Sequence, residues 1–322
     1  MLRPWLGLTA MLAGAMLQPA SAQDYPTKPV RIVVPFGVGG PADIYARFVA
    51  EKLQQAWGQS FVVEPKPGAG SFLGTSDVAK AAPDGYTLLM MSNTHTVNET
   101  LRPNRPFDLM RDFVGVAPVN YSDLIMVVHP SVPAKDLKEF LALAKSKPGV
   151  LNYASSGLGT PYHMAGELFK AMTGTDIVHV AHKASGDART AVLGGHIEMM
   201  LDAITTTAPT VQGGQVRALA TTGDKRSTVL PNVPTVNEAG VPGYEATIWL
   251  GIMAPKGTPK AIVDKLNAEI GKAVSTPATK AAWTKQGAEP LVMDPAQFDA
   301  YLRADIAKWA DVIKKAGIKP VQ

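Results

Sequence analysis

Residues Val30 to Arg47, VRIVVPFGVGGPADIYAR, restrict the architecture of this chain more than any other segment. Arg31 to Val34 is short, apolar and β-branched, the pattern of a strand covered on both faces. Gly37, Gly39 and Gly40 then let the backbone turn sharply without a Cβ to obstruct an approaching group. Pro41 suits the first position of a helix, where its missing N–H has no helical partner to lose. A strand, a glycine loop and a helix start in this order leave unpaired N–H groups at a helix N-terminus. That end attracts an anion, phosphate or carboxylate.

The arrangement recurs at Asn152 to Glu167, NYASSGLGTPYHMAGE. A short strand at 150–154 runs into Ser155, Ser156, Gly157 and Gly159, then Thr160 and Pro161, then an amphipathic helix. Two such units, about one domain length apart, predict two lobes facing each other across a cleft.

The segments between them alternate in the same way. Strands are expected at 61–64, 86–91, 177–180, 197–201 and 216–221, with helices at 43–57, 136–147, 161–172, 186–193 and about 205–212. A helix leading to about Ala81 follows the tight loop Pro67-Gly68-Ala69-Gly70-Ser71. Helices at 259–274, 277–286 and 295–316 each carry a proline near the start. This is an α/β chain with short loops, hence mostly parallel sheets flanked by helices. Val114 to Val128 and Ala246 to Ala254 read as the two passages between lobes. The expected division is 23–122 with 249–322 in the first lobe and 123–248 in the second.

The first residues read as an export signal. Arg3 precedes an apolar core, Leu6 to Leu17, too short to span a membrane, and Ala20-Ser21-Ala22 fits a cleavage site. The expected mature chain begins at Gln23 in the periplasm. The chain contains no cysteine, so it is stabilised by its core alone. The net charge of +4, or +3 without Arg3, comes with no basic cluster interleaved with aromatics. That composition excludes a nucleic-acid footprint.

Gly37-Val38-Gly39-Gly40-Pro41-Ala42 satisfies the dinucleotide fingerprint, and Glu64 ends the next strand where a ribose-binding acid would sit. This keeps open an exported enzyme that uses the loop for a phosphate-bearing cofactor. Against it stand the export signal and the second glycine loop, which fit a two-jawed grip on one anion. No G-x-S-x-G elbow, H-E-x-x-H pair or Walker loop occurs. His179 and His182 lack a third ligand at a recognisable spacing, so no metal and no cofactor are expected.

Several side chains are candidates for ligand contact. Asp43 is placed to cap the helix or order the first loop, and His163 to bond a ligand oxygen or brace the second loop. Asp202, Asn93 and Thr94 follow strands at positions where α/β sheets carry ligand groups. Phe36 and Trp249 are candidates for the cleft wall.

VPFGVGGPADIYAR, PGAGS, AAPDGYTLLM, LNYASSGLGTPYHMAGELF, LPNVPTVNEAGVPGYEAT and WLGIMAPKGTPKAIVDKLN together resemble the Bug family. These are the extracytoplasmic solute receptors of tripartite tricarboxylate transporters, and the resemblance covers essentially the whole mature chain. It implies a two-lobed, type II-like Venus-flytrap protein that binds an organic carboxylate between its glycine loops, is not an enzyme, and is monomeric. It also implies delivery to a membrane permease of one large and one small subunit. Matched residue by residue, the implied ligand-binding positions are Phe36, Gly39, Gly40, Asp43, Ser155, Ser156, Gly157, Gly159, Thr160, His163 and Asp202. The distal part of the ligand is expected to meet Phe36, Asn93, Tyr162, His182, Asp202 and Trp249. The sequence departs from the family pattern at 37–38, 41, 65–66 and 181–184, which line the expected cleft. Aliphatic dicarboxylates, amino acids and aromatic acids all stay open as ligands, as does a role in signalling to a sensor protein.

Overall fold

The computed structural model describes residues 25–321. The expected export signal, 1–22, lies outside the described residues. The first unit is β1 (Val30–Val34), α1 (Pro41–Trp57) and β2 (Phe61–Pro65). A 3-10 turn at Ala69–Ser71 leads to α2 (Phe72–Ala79) and β3 (Thr87–Ser92). Helices α3 (Asn93–Leu101) and α4 (Leu109–Asp112) precede the long strand β4 (Phe113–Val128). The second unit comprises α5 (Leu137–Ser146), β5 (Asn152–Ser155), α6 (Pro161–Thr173) and β6 (Val178–Ala181). It continues with α7 (Ser185–Leu193), β7 (Met199–Ala203), α8 (Ile204–Gln212) and β8 (Arg217–Thr221). Next come β9 (Thr247–Pro255), α9 (Lys260–Ser275), α10 (Pro277–Thr284), β10 (Ala288–Pro290) and α11 (Pro295–Lys315).

The strands pair in the order β2-β1-β3-β9-β4-β7-β5-β6, with β8 and β10 also on β4. Within this path β2-β1-β3 and β6-β5-β7 are two parallel triplets of the same design. In each triplet the central strand carries the glycine loop at its C-terminal end. The chain steps outward from β1 to β2 and then back across to β3, and likewise from β5 to β6 and back to β7. Both loops therefore occupy the points where strand order reverses, which is where open α/β sheets leave a crevice for ligand.

Strand β4 joins the two halves. Its residues 113–123 pair antiparallel with β9, and Leu124 to Val128 pair antiparallel with β7. The parallel units match the expected alternation. The antiparallel crossing strands differ from it, because a buried run such as Leu124 to Val128 has no periodicity that records its direction.

Each half has its own core. Phe140, Tyr153, Phe169 and Tyr244 pack on one side of the crossing, and Ile32, Leu53, Leu88 and Ile252 on the other. A smaller cluster sets Met164 of α6 against Val97 and Leu101 of α3 and Trp309 and Ile313 of α11. The C-terminal helix thus touches an element of the second parallel unit. Helix α3 was not expected from the sequence. Its sequence NTHTVNETL carries no apolar stripe, yet it is buried from Asn93 to Asn98. Ser92 starts it with a capping box completed by His95 instead of an acid, so the usual sequence signal is absent. Among the described residues, no helix is long and apolar enough to cross a membrane.

Candidate ligand-binding site

A cavity of about 490 Å³ lies between the two glycine loops. Its wall comes from the C-terminal ends of β1, β2, β3, β5 and β6 and from β9. Pro35, Phe36, Ile248 and Leu250 give it an apolar side, while the loops give it backbone and hydroxyl groups.

Three helices present their N-termini here without a side-chain cap. Helix α1 starts after Gly40, α6 after Thr160 and α7 after Ala184, and none of these residues accepts a capping hydrogen bond. The first N–H groups of each helix are consequently unpaired within the chain. Helix α3 differs: the Ser92 hydroxyl accepts from the Thr94 N–H at 3.2 Å, so that end supplies hydroxyls instead of free amides. Lys183 and His182 stand on the rim beside α7. Burial pushes the Tyr162 phenol well above its ordinary range, so it remains a donor at neutral pH. No acidic side chain contributes to the wall among the described residues. Helix termini and one lysine make the site attractive to an anion.

Of the expected contacts, Phe36, Gly40, Thr94, Ser156 and Thr160 line the cavity, together with Gly157, Tyr162 and His182. The others lie behind the wall and hold it. Asp43 accepts the Gly39 N–H at 3.1 Å and pairs with Arg47 at 2.9 Å, fixing the turn at Gly39, where φ is +78°. Ser155 accepts the Gly157 N–H at 3.1 Å and bonds His179 Nε2 at 2.6 Å. The Gly159 N–H donates to His163 Nδ1 at 3.2 Å, and the Thr160 hydroxyl to the Gly157 carbonyl at 2.7 Å. Burial lowers His163 to about 4 and His179 to about 3, so both rings are neutral, packed with centroids 4.3 Å apart and planes tilted by 45°.

Asn93 and Asp202 do not reach the cavity. The Asn93 amide donates to the Thr247 carbonyl at 2.9 Å, tying α3 to β9. Asp202 is fully buried and accepts from Arg189 Nε at 2.7 Å, the Thr207 hydroxyl and the Ala203 N–H. Instead of following the strand it lies within β7, paired with Ile125 of β4, and Arg189 reaches back from α7 to occupy the carboxylate. Trp249 is likewise core, edge-on to Phe298 and Tyr301. Glu64 pairs with Arg31 and Lys66 rather than facing the first loop, so the acid of the dinucleotide fingerprint is committed elsewhere. Among the described residues no three His, Asp or Glu side chains gather to hold a metal.

Sequence reasoning placed 181–184 on the cleft but left out the N-terminus of α7 as a third uncapped helix end and the 67–71 loop as a wall element. The loop had a local signal in Gly68 and Gly70, and in the structure Gly68, Ala69, Gly70 and Ser71 all adopt positive φ, a conformation rare for Ala and Ser. Helix α7 had none, since ASGDAR resembles any surface helix start.

Residues 45–318 match the family described as the tripartite tricarboxylate transporter family receptor. The chain belongs to this receptor family. Protein BugT of Bordetella pertussis is 36% identical over 316 residues, 98% of this chain and 97% of its own length. An R. palustris protein solved with adipate superposes with a TM-score of 0.90 at 34% identity, covering 92% of this chain and all of that one. MatC of Rhodopseudomonas palustris, solved with malate, gives 0.85 at 32% identity, covering 90% of this chain and all of that one. The receptor is thus a two-lobed α/β protein of the periplasmic-binding class, and a solute binder rather than an enzyme.

Proposed function

We propose that this receptor captures an organic carboxylate in the periplasm and passes it to the large and small membrane subunits of a tripartite permease. The convergence of three uncapped helix N-termini on one cavity, with Lys183 on its rim and no acid among the described residues of its wall, carries this reading. One carboxylate sits between α1 and α6, held by backbone donors that need no buried counter-charge. Phe36, Gly40, Ser156 and Thr160 touch the ligand, while Gly39, Asp43, Asn93, Ser155, Gly159, His163 and Asp202 position the groups that do. The adipate and malate held by two relatives of similar fold favour this ligand class.

The lobes divide at the two crossings, with 23–122 and 249–322 on one side and 123–248 on the other. The change of partner along β4 at Asp123 and Leu124 supports that division. Closure is a population shift toward a state that the bound ligand stabilises. The receptor works as a monomer after cleavage behind Ala22.

A thermal-shift screen of Gln23 to Gln322 tests the reading with mono-, di- and tricarboxylates, aromatic acids, NAD and FAD. A ligand at 100 times its Kd adds about 2.7 kcal/mol, a clear rise in Tm. A rise with one group of carboxylates supports the receptor. Silence from every carboxylate and a rise with a dinucleotide would overturn it.

A further inference from the structure

Gly37 and Gly40 sit in the first glycine loop, yet neither has a positive φ. Their backbone conformations are open to any residue, so glycine is not required there by the loop itself. What excludes a side chain comes from the other lobe. A Cβ built on Gly37 would lie 2.4 Å from the Ala184 Cβ and 3.3 Å from its Cα. A Cβ on Gly40 would lie 2.9 Å from the Ser185 hydroxyl. The two cases differ in kind. A serine hydroxyl can rotate away, whereas the Ala184 methyl is fixed to the backbone at the start of α7.

Carbon atoms in contact settle at about 3.5–4.0 Å. A methyl at 37 would therefore hold the Ala184 backbone at least about 1 Å further from the first loop. Hydrogen bonds from N–H groups tolerate far less than that, since a donor–acceptor distance of about 2.9 Å becomes one at which no bond forms.

We propose that Gly37 and Ala184 are a pair of positioning residues: their direct contact stops lobe closure at the separation where α1 and α7 both reach the same ligand. This rests on the reading of the cavity as the space between two lobes that open and close. Neither residue bonds the ligand. Together they set how near the α7 N-terminus and Lys183 come to the α1 loop, and hence whether one small anion is held from both sides.

The test uses the full mature chain, whose lack of cysteine allows clean labelling. Spin labels go on Val62→Cys and Val178→Cys, both exposed, on the outermost strands of the path. Distances are measured with and without adipate, alongside Tm and adipate titration. The parent chain is expected to show a short, closed distance. Gly37→Ala is expected to unfold at the parent temperature, to lose the short distance, and to bind any adipate the parent binds at least tenfold more weakly. Adding Ala184→Gly to Gly37→Ala should restore the short distance and most of the affinity, because the 2.4 Å clash is gone and what remains is 3.3 Å to the Cα and 3.8 Å to the Lys183 carbonyl. Gly40→Ala should have a smaller effect than Gly37→Ala.

A Gly37→Ala chain that closes like the parent overturns the proposal. So does one that fails to fold, since that would mean the glycine serves its own lobe, and so does a parent that never shows the short distance. A parent that closes regardless of any carboxylate, with Gly37→Ala still open, upholds the pair and counts against the carboxylate reading alone.

Discussion

His163 Nδ1 receives the Gly159 N–H at 3.2 Å, which fixes the second glycine loop through a ring that must stay neutral on that nitrogen. His179 packs against the same ring, centroids 4.3 Å apart, and bonds Ser155 at 2.6 Å, so two histidines brace one loop. The loop donors that face the cavity are held by groups that never touch it.

This bracing makes the fold sensitive to acid. Burial lowers His163 to about 4 in the folded chain, against 6.5 when unfolded, so the folded state binds fewer protons. The contribution is fully present above pH 6.5 and is lost as pH falls toward 4. For His163 it is on the order of 3 kcal/mol. Denaturant unfolding between pH 7.5 and 4 should show the decline. His163→Asn keeps an acceptor near Gly159 and should flatten that part of the profile.

Asp43 should matter to both stability and binding without touching the ligand. Asp43→Ala removes the acceptor of the Gly39 N–H and the partner of Arg47. A loss of about 1–3 kcal/mol is expected in urea unfolding. Ligand dissociation should quicken, because the first loop is less rigid. Unchanged binding would show that the loop needs no brace.

Asp202 separates positioning from contact. Asp202→Ala leaves Arg189 without its buried partner, which typically costs about 3–5 kcal/mol. The order of preference among carboxylates in a thermal-shift panel should survive. A changed order would place Asp202 at the ligand after all.

Lys183 is exposed on the rim, so its effect should be small. Lys183→Met should weaken anion binding by less than about 1 kcal/mol. Most of the change should appear in the association rate and in its salt dependence. A stopped-flow series in sodium chloride reads both.

The strand, loop and helix order around Gly37 and again around Gly157 was legible because glycine, proline and short β-branched runs act over a few residues. Asp136 and Thr276 as helix starts, and Gly58 with φ +70° as a helix end, follow from the same local chemistry. Helix α3 was hidden because burial on several sides replaces the stripe that betrays an amphipathic helix. Asp202 and His163 carried the right chemistry for ligand contact, but Arg189 and Gly159 reach them first.

The amino-acid sequence alone determined the two strand–glycine loop–helix units, the α/β alternation and the family, since each depends on neighbours along the chain. Only the tertiary structure decided that the start of α7 meets the first loop, with Ala184 against Gly37 and Ser185 against Gly40. That meeting depends on the path of β4 and β9 through the middle of the sheet. No local spacing encodes the direction of those strands, and packing of the two halves across them sets which loops come face to face.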